Sequence, residues 1–271
     1  MSFSLANWNI NSVRLREPLV LRLLKEHGPD VLCLQECKSP VDKITTEAFH
    51  EAGYTHMVAR GQKGYNGVAI LSKFPMEDVT PRLPGDDSDE QARYIEALIS
   101  TGSTPIRVGG LYLPNGNPVH TEEGELHEKY KYKLAWMDRL IKHAEILLTL
   151  EEPFVLAGDY NIIPQAEDCH KPEAWKEDAL FRLESRDKFR KLMNLGLTDS
   201  FRACHTEPNR YTFWDYQAGA WPKDNGIRID HLLLSPQAAD MLSACDVDKE
   251  IRGRERPSDH VPIWIELDVP E

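Results

Sequence analysis

Five short polar clusters hold the groups in this chain that could do chemistry. They are Asn9-Ile10-Asn11, Gln35-Glu36, Gly158-Asp159-Tyr160-Asn161, Arg228-Ile229-Asp230-His231 and Ser258-Asp259-His260, each placed where an apolar stretch runs out. Carboxylates, carboxamides and an imidazole at strand ends make a poor core, because an ionised group buried without a partner is costly to desolvate. They make sense if they converge. Glu36, Asp159, Asp230 and Asp259 at close range repel one another unless a divalent cation offsets the repulsion, and hard oxygen donors select magnesium or manganese over zinc. Metal-assisted chemistry on a phosphate is the expectation.

Such clusters need rigid elements behind them. Ser2 to Trp8 reads as a strand, Leu15 to His27 as an amphipathic helix, and Val31-Leu32-Cys33-Leu34 as a buried strand that ends at Glu36. Further strands are expected over Thr55–Arg60, Gly67–Leu71, Arg93–Ile99, Ile106–Leu113, Phe154–Ala157, Arg228–Leu234 and Pro262–Leu267. Helices are expected over Glu122–Leu150 and Lys188–Leu195. The mixed order predicts an α/β fold of two stacked sheets covered by helices, a four-layer αββα sandwich with the site at the sheet edges. No repeat and no linker rich in Pro, Gly or Ser divides the chain, so one domain over residues 1–271 is expected.

A hydrophobic fraction of 41% is enough for a sizeable core. The formal charge of −12 argues against tight, unspecific coating of nucleic acid, yet an enzyme needs only one face lined with cations and backbone donors. Five cysteines cannot all pair, and with no leader-like segment at the start this points to a reducing cytoplasm. No apolar run reaches membrane-spanning length.

In family order, Trp8-Asn9-Ile10-Asn11-Ser12-Val13-Arg14, Leu34-Gln35-Glu36, Gly85-Asp86-Asp87, Leu111-Tyr112-Leu113-Pro114-Asn115-Gly116, the Gly-Asp-Tyr-Asn cluster, Tyr211-Thr212-Phe213-Trp214-Asp215-Tyr216 and the two closing clusters span nearly the whole chain. Together they resemble the exonuclease III family of apurinic/apyrimidinic (AP) endonucleases, whose fold is DNase I-like. The resemblance implies a phosphodiesterase that acts as a monomer, needs Mg2+ (or Mn2+), cleaves double-stranded DNA on the 5′ side of abasic sites and trims 3′ ends.

The resemblance also distributes roles. Glu36 is the first metal ligand, with Asn9 and Asp259 in support. Asp159, with Asn161, orients or deprotonates the attacking water or protonates the leaving oxygen. His260 hydrogen-bonds the phosphate and is oriented by Asp230. The Tyr112 hydroxyl approaches the same phosphate. Arg93, Asn115, Lys129 and Arg228 fall to DNA contact, while Phe213, Trp214, Ile227 and Ile229 resemble an apolar pocket for an extrahelical baseless sugar. Relatives on the same fold hydrolyse RNA or phospholipids, and a silent scaffold is the third reading. Phe213-Trp214 and Gly85-Asp86-Asp87 favour DNA, and a scaffold has no physical need for a crowded acidic site.

Overall fold

The period-2 alternation of the central strands decides which way every polar strand end faces. The computed structural model describes residues 2–102 and 104–270. In chain order its elements are β1 (Ser2–Asn9), α1 (Val13–Glu26), β2 (Val31–Gln35), α2 (Glu47–Glu51), β3 (His56–Arg60), β4 (Val68–Ser72), β5 (Met76–Thr80), β6 (Tyr94–Ile99), β7 (Ile106–Tyr112) and α3 (Glu128–Leu148). They continue with β8 (Phe154–Asp159), α4 (Leu183–Asn194), β9 (Thr198–Asp199), α5 (Ser200–Cys204), β10 (Asp230–Leu234), α6 (Pro236–Ala239), β11 (Leu242–Val247) and β12 (Ile263–Asp268).

Two six-stranded sheets form, in the orders β11-β12-β1-β2-β4-β3 and β5-β6-β7-β8-β10-β9. Each has one parallel pair at its centre, β1 with β2 and β7 with β8, and α1 and α3 make the crossovers that parallel pairing requires. The sheets stack on Phe3, Leu5, Val31, Cys33, Val108, Val155, Ala157, Leu232 and Ile263. The residues between these face outward. Trp8, Leu32 and Leu34 pack with Val20, Leu23 and Leu24 of α1, and Leu111, Leu156 and Leu233 pack with Trp136 and Leu140 of α3 and Phe189 of α4. Helix, sheet, sheet, helix is therefore the layer order, the sandwich expected.

Boundaries differ from the sequence reading in three instructive places. The helix expected from Glu122 starts at Glu128, because Thr121 and Glu125 close a turn and His127 caps the helix by accepting a hydrogen bond from the Lys129 amide. The helix expected from Lys188 begins one turn earlier, at Leu183. Strands β5 and β11 went unread. Both are sheet edges, and β5 exposes Glu77, Asp78 and Val79, so neither shows a buried apolar run.

Candidate active site

Alternation carries the apolar inner face of each central strand straight into a functional group. Phe3 and Leu5 of β1 are followed on the same face by Asn7 and Asn9, and Val155 and Ala157 of β8 by Asp159. Leu232 and Leu234 of β10 are preceded on that face by Asp230, and Tyr112 of β7 packs against the same core. Register aligns them, since Asp159 lies beside both Tyr112 and Asp230. On the other sheet, the segment leading into β12 is fixed to the end of β1 by Trp8 Nε1 donating to the His260 carbonyl (3.0 Å) and Ser258 Oγ donating to the Asn9 carbonyl (2.7 Å). Glu36 follows β2 in the left-handed region at φ 51°, as do Asn11 and Asn161 at φ 48°. Such conformations are costly outside glycine and gather where geometry serves a site.

The polar ends meet between the sheets. Asn9 Nδ2 donates to Glu36 Oε1 and to Asp159 Oδ2, both at 2.9 Å. His260 Nδ1 is 2.8 Å from Asp230 Oδ2, and its Nε2 is 3.7 Å from Asp159 Oδ2. One ligand atom each from Glu36, Asp159 and His260 lies within 4.8 Å of the others. Asp259 Oδ1 accepts from Asn11 Nδ2 at 3.1 Å, and Lys38 Nζ stands 2.7 Å from Glu36 Oε2. The Asn161 amide donates to Asp159 Oδ1 (2.9 Å), while its side chain bridges the Leu113 carbonyl and Asn115 Nδ2. A cavity of about 350 Å³ opens over this group, with Phe213, Ile227 and Ile229 as its apolar wall.

Burial and charge then set the protonation states. Burial pushes the Asp159 carboxyl up to about 7, helped by the charge of Asp230. Burial opposes a charged His260, but the Asp230 and Asp159 carboxylates outweigh it and raise the imidazole to about 10. Burial likewise opposes ionisation of Glu36, yet Lys38 and Asn9 hold its carboxyl below the usual range. The Tyr112 phenol is pushed well up by burial and by the charges of Glu36 and Asp159, so it remains a hydroxyl. The site is thus one imidazolium, one hydroxyl and a set of carboxylates around a concave space.

Not every expected residue joins it. Arg93 lies over the Tyr112 ring at 4.9 Å and donates to the Tyr112 carbonyl (3.2 Å). Lys129 is exposed on the first turn of α3 and does not line the cavity. Trp214 is a correction. In an extended segment neighbours point opposite ways, so Phe213 faces the cavity, its ring 4.9 Å from that of His260, while Trp214 is fully buried against Tyr211, Trp221 and Val261. Arg228 is corrected on the same ground. Ile227 and Ile229 face the cavity, but Arg228 turns inward to ion pairs with Asp168 and Asp199, both 2.8 Å, and cannot reach DNA. Gly158 is needed for strand packing, since a Cβ there would meet the Leu111 carbonyl at 2.2 Å.

The buried position of Trp214 gives an expected result. Trp214→Ala should destabilise the fold by about 3–5 kcal/mol and leave the ratio of abasic-site cleavage to 3′-end trimming unchanged in one folded preparation. Denaturant titration and paired assays check both parts, and a shifted ratio would return Trp214 to the pocket.

Two residues escaped the sequence reading. Lys133 is fully buried, and its Nζ donates to the carbonyls of Asn115 (3.0 Å) and Asn161 (2.7 Å), tying together the loops that carry both. Burial pushes its ammonium down to about 7. The signal was a lysine in phase with Tyr130, Met137 and Leu140 on the apolar stripe of α3. Trp175, which lines the cavity from the loop before α4, belongs to no motif.

The chain is similar to known proteins in sequence and in fold. Residues 6–260 match the model of the Endonuclease/Exonuclease/phosphatase family. The chain is 31% identical over 269 residues to exodeoxyribonuclease III of Haemophilus influenzae, covering 96% of this chain and 98% of that protein. An AP endonuclease from Archaeoglobus fulgidus superposes with a TM-score of 0.90 at 36% identity, covering 98% of this chain and all (100%) of the other. A 3′ phosphatase, NExo, from Neisseria bound to a product DNA hairpin superposes with a TM-score of 0.91 at 38% identity over the same shares, 98% and 100%.

Proposed function

The chain belongs to the endonuclease/exonuclease/phosphatase family, and from that premise we propose that it is a DNA repair phosphodiesterase cleaving 5′ to abasic sites and trimming 3′ ends. The observation that carries this reading is the apolar wall of Phe213, Ile227 and Ile229 set directly against the Asn9–Glu36–Asp159–His260 group. A phosphate held by the polar part places the adjoining sugar on the apolar part. A baseless sugar is the unit least costly to turn out of a duplex.

The donor set suits a hard divalent cation, and Mg2+ is our assignment. Glu36 and Asp159 offer carboxylate oxygens that one amide, Asn9 Nδ2, holds together, and Asp259 lines the same cavity. His260 is a poor metal ligand, because its Nδ1 is engaged by Asp230 and the raised imidazole keeps a proton on Nε2. Held by Glu36 and Asp259, with Asn9 in support, the cation would supply Lewis-acid stabilisation of phosphoryl and leaving-group charge.

The protein's own groups do the rest. Imidazolium Nε2 of His260 and the hydroxyl of Tyr112 donate to the non-bridging phosphate oxygens, in a water-poor cleft where such donors count most. Asp230 keeps His260 charged and aimed. Asp159, as carboxylate, takes the proton of the attacking water, and the Asn161 amide fixes its other oxygen. Arg93 holds Tyr112 from behind, and Asn115 holds Asn161. Residues from β1 through to His260 contribute, so we read the whole chain as one domain acting as a monomer. Five free cysteines, Cys204 exposed among them, fit a reducing compartment such as the cytoplasm.

The test is a labelled abasic duplex beside an intact 3′-recessed duplex, with and without EDTA. Both should be cut in Mg2+ and neither in EDTA. Glu36→Ala should lose about 10²-fold at low Mg2+ and recover part of that at high Mg2+, as one anchor of several is missing. An abasic duplex left intact by the wild-type protein would overturn the reading, and cleavage of RNA or a phospholipid instead would replace it.

A further inference from the structure

Trp175 is a wall with a cavity on each side. One is the active-site cavity of about 350 Å³, and the other, about 380 Å³, is bounded by His170, Lys171, Asn225 and Gly226, with Trp175 and Asp178 common to both. The ring is held in place from three directions. Its Nε1 donates to the His170 carbonyl (3.2 Å), its side chain packs against the Ile227 and Ile229 cluster, and its backbone is tied by Trp175 N to Pro172 O (3.1 Å) and Asp178 N to Trp175 O (2.9 Å). The loop itself is pinned to the segment that carries Ile227 and Ile229, through His170 N to Gly226 O (2.9 Å) and Arg228 N to Asp168 O (2.8 Å). Asp178 is fixed in turn by Asn117 Nδ2 (3.0 Å).

Building on the functional reading above, we propose that Trp175 sets the size limit of the sugar pocket for an internal nucleotide turned out of the duplex, excluding one that still carries its base. The active-site cavity is near the lower end of ligand-pocket volumes, roughly 300–1,000 Å³, and must already take a phosphate and a sugar. With the indole in place, a base attached to that sugar meets the ring. With the indole removed, the base enters the second cavity, where the His170 ring, the Asn225 amide and the Lys171 ammonium offer hydrogen-bond partners around its edge. This differs from the role of Phe213, Ile227 and Ile229, which line the active-site cavity and do not border the second one.

The experiment compares wild type, Trp175→Phe and Trp175→Ala on two duplexes alike except at one position, an abasic residue or a bulged nucleotide that keeps its base. A bulged nucleotide lowers the cost of turning the unit out, so pocket size is the term left to read. Trp175→Ala should raise the ratio of kcat/KM for the bulged nucleotide over the abasic residue by at least about tenfold, the scale at which small steric differences in a pocket discriminate. Trp175→Phe should fall between the other two. Because the ratio is taken within one preparation, a fall in the folded fraction cancels. A ratio unchanged in Trp175→Ala, with both activities falling together, overturns the inference and leaves the functional reading standing. Wild-type protein inert on the abasic duplex overturns both.

Discussion

Asp159→Asn should lower kcat on an abasic duplex by about 10³-fold, within the span expected for loss of a positioned proton acceptor, with KM changed little. Asp159 sits where every line of the site crosses. It accepts from Asn9 and from the Asn161 amide, faces His260 Nε2 at 3.7 Å and pairs in register with Tyr112 and Asp230. The amide keeps the shape and removes the basicity, so single-turnover cleavage reads the chemical role and not a cavity. Stability should move the other way. Its folded carboxyl is raised from the ordinary 3.8 to about 7, so the proton it holds stabilises the fold fully below about 3.8 and that contribution is lost as pH rises through about 7. In EDTA the variant should therefore match wild type at pH 4 and exceed it at pH 8. Turnover within tenfold of wild type would remove Asp159 from the proton-transfer step.

The second large effect belongs to Asp230→Asn. Burial alone would discharge His260, and it is chiefly the Asp230 carboxylate, at 2.8 Å, that keeps the ring charged up to about 10. Without it the imidazole should titrate about 1–3 units lower, and kcat at pH 9 should fall by about 10²-fold or more as the phosphate loses its cationic donor. The sign is fixed by the shift. The stability gained from charged His260 is present in full below its ordinary 6.5 and is lost as pH rises through about 10, so the variant should lose stability most at neutral pH and below. A pH–rate profile and the His260 ring resonance in the ion-free protein follow the change together. If the alkaline limb stayed where wild type has it, another group would be holding the phosphate.

Much of this site was legible because strand ends are legible. An apolar run of period two that stops at Asn9 or Asp159 fixes both the position and the facing of the polar group, whereas Glu36 is out of phase with Val31 and Cys33 and turns to the site through its left-handed backbone; the resemblance supplied their order. What failed was the reading of motifs as units. Phe213-Trp214 and Ile227-Arg228-Ile229 are contiguous in sequence, but the same alternation sends Trp214 and Arg228 away from the cavity. Lys133 showed its phase without showing its partners, since backbone carbonyls leave no mark in a sequence. Trp175 could not be read at all, because its place depends on a loop pairing with residues about sixty positions later, Asp168, Cys169 and His170 with Arg228, Ile227 and Gly226. The edge strands β5 and β11 were missed because an edge need not be apolar.

The placement of β12 between β1 and β11 bears on how the enzyme is made. Among the described strands β1 is made first, and its partner on one side, β12, with Ser2 opposite Asp268, is made last. Until then one flank of a central strand is open, and the pairing that closes it spans nearly the whole chain, the kind of contact that forms late and slowly. Asp259 and His260 arrive on that same segment, anchored to Trp8 and Asn9 only when β12 docks. A nascent chain therefore carries Glu36 and Asp159 before the His260 imidazole can join them, and the group is complete only after β12 has been made and docked.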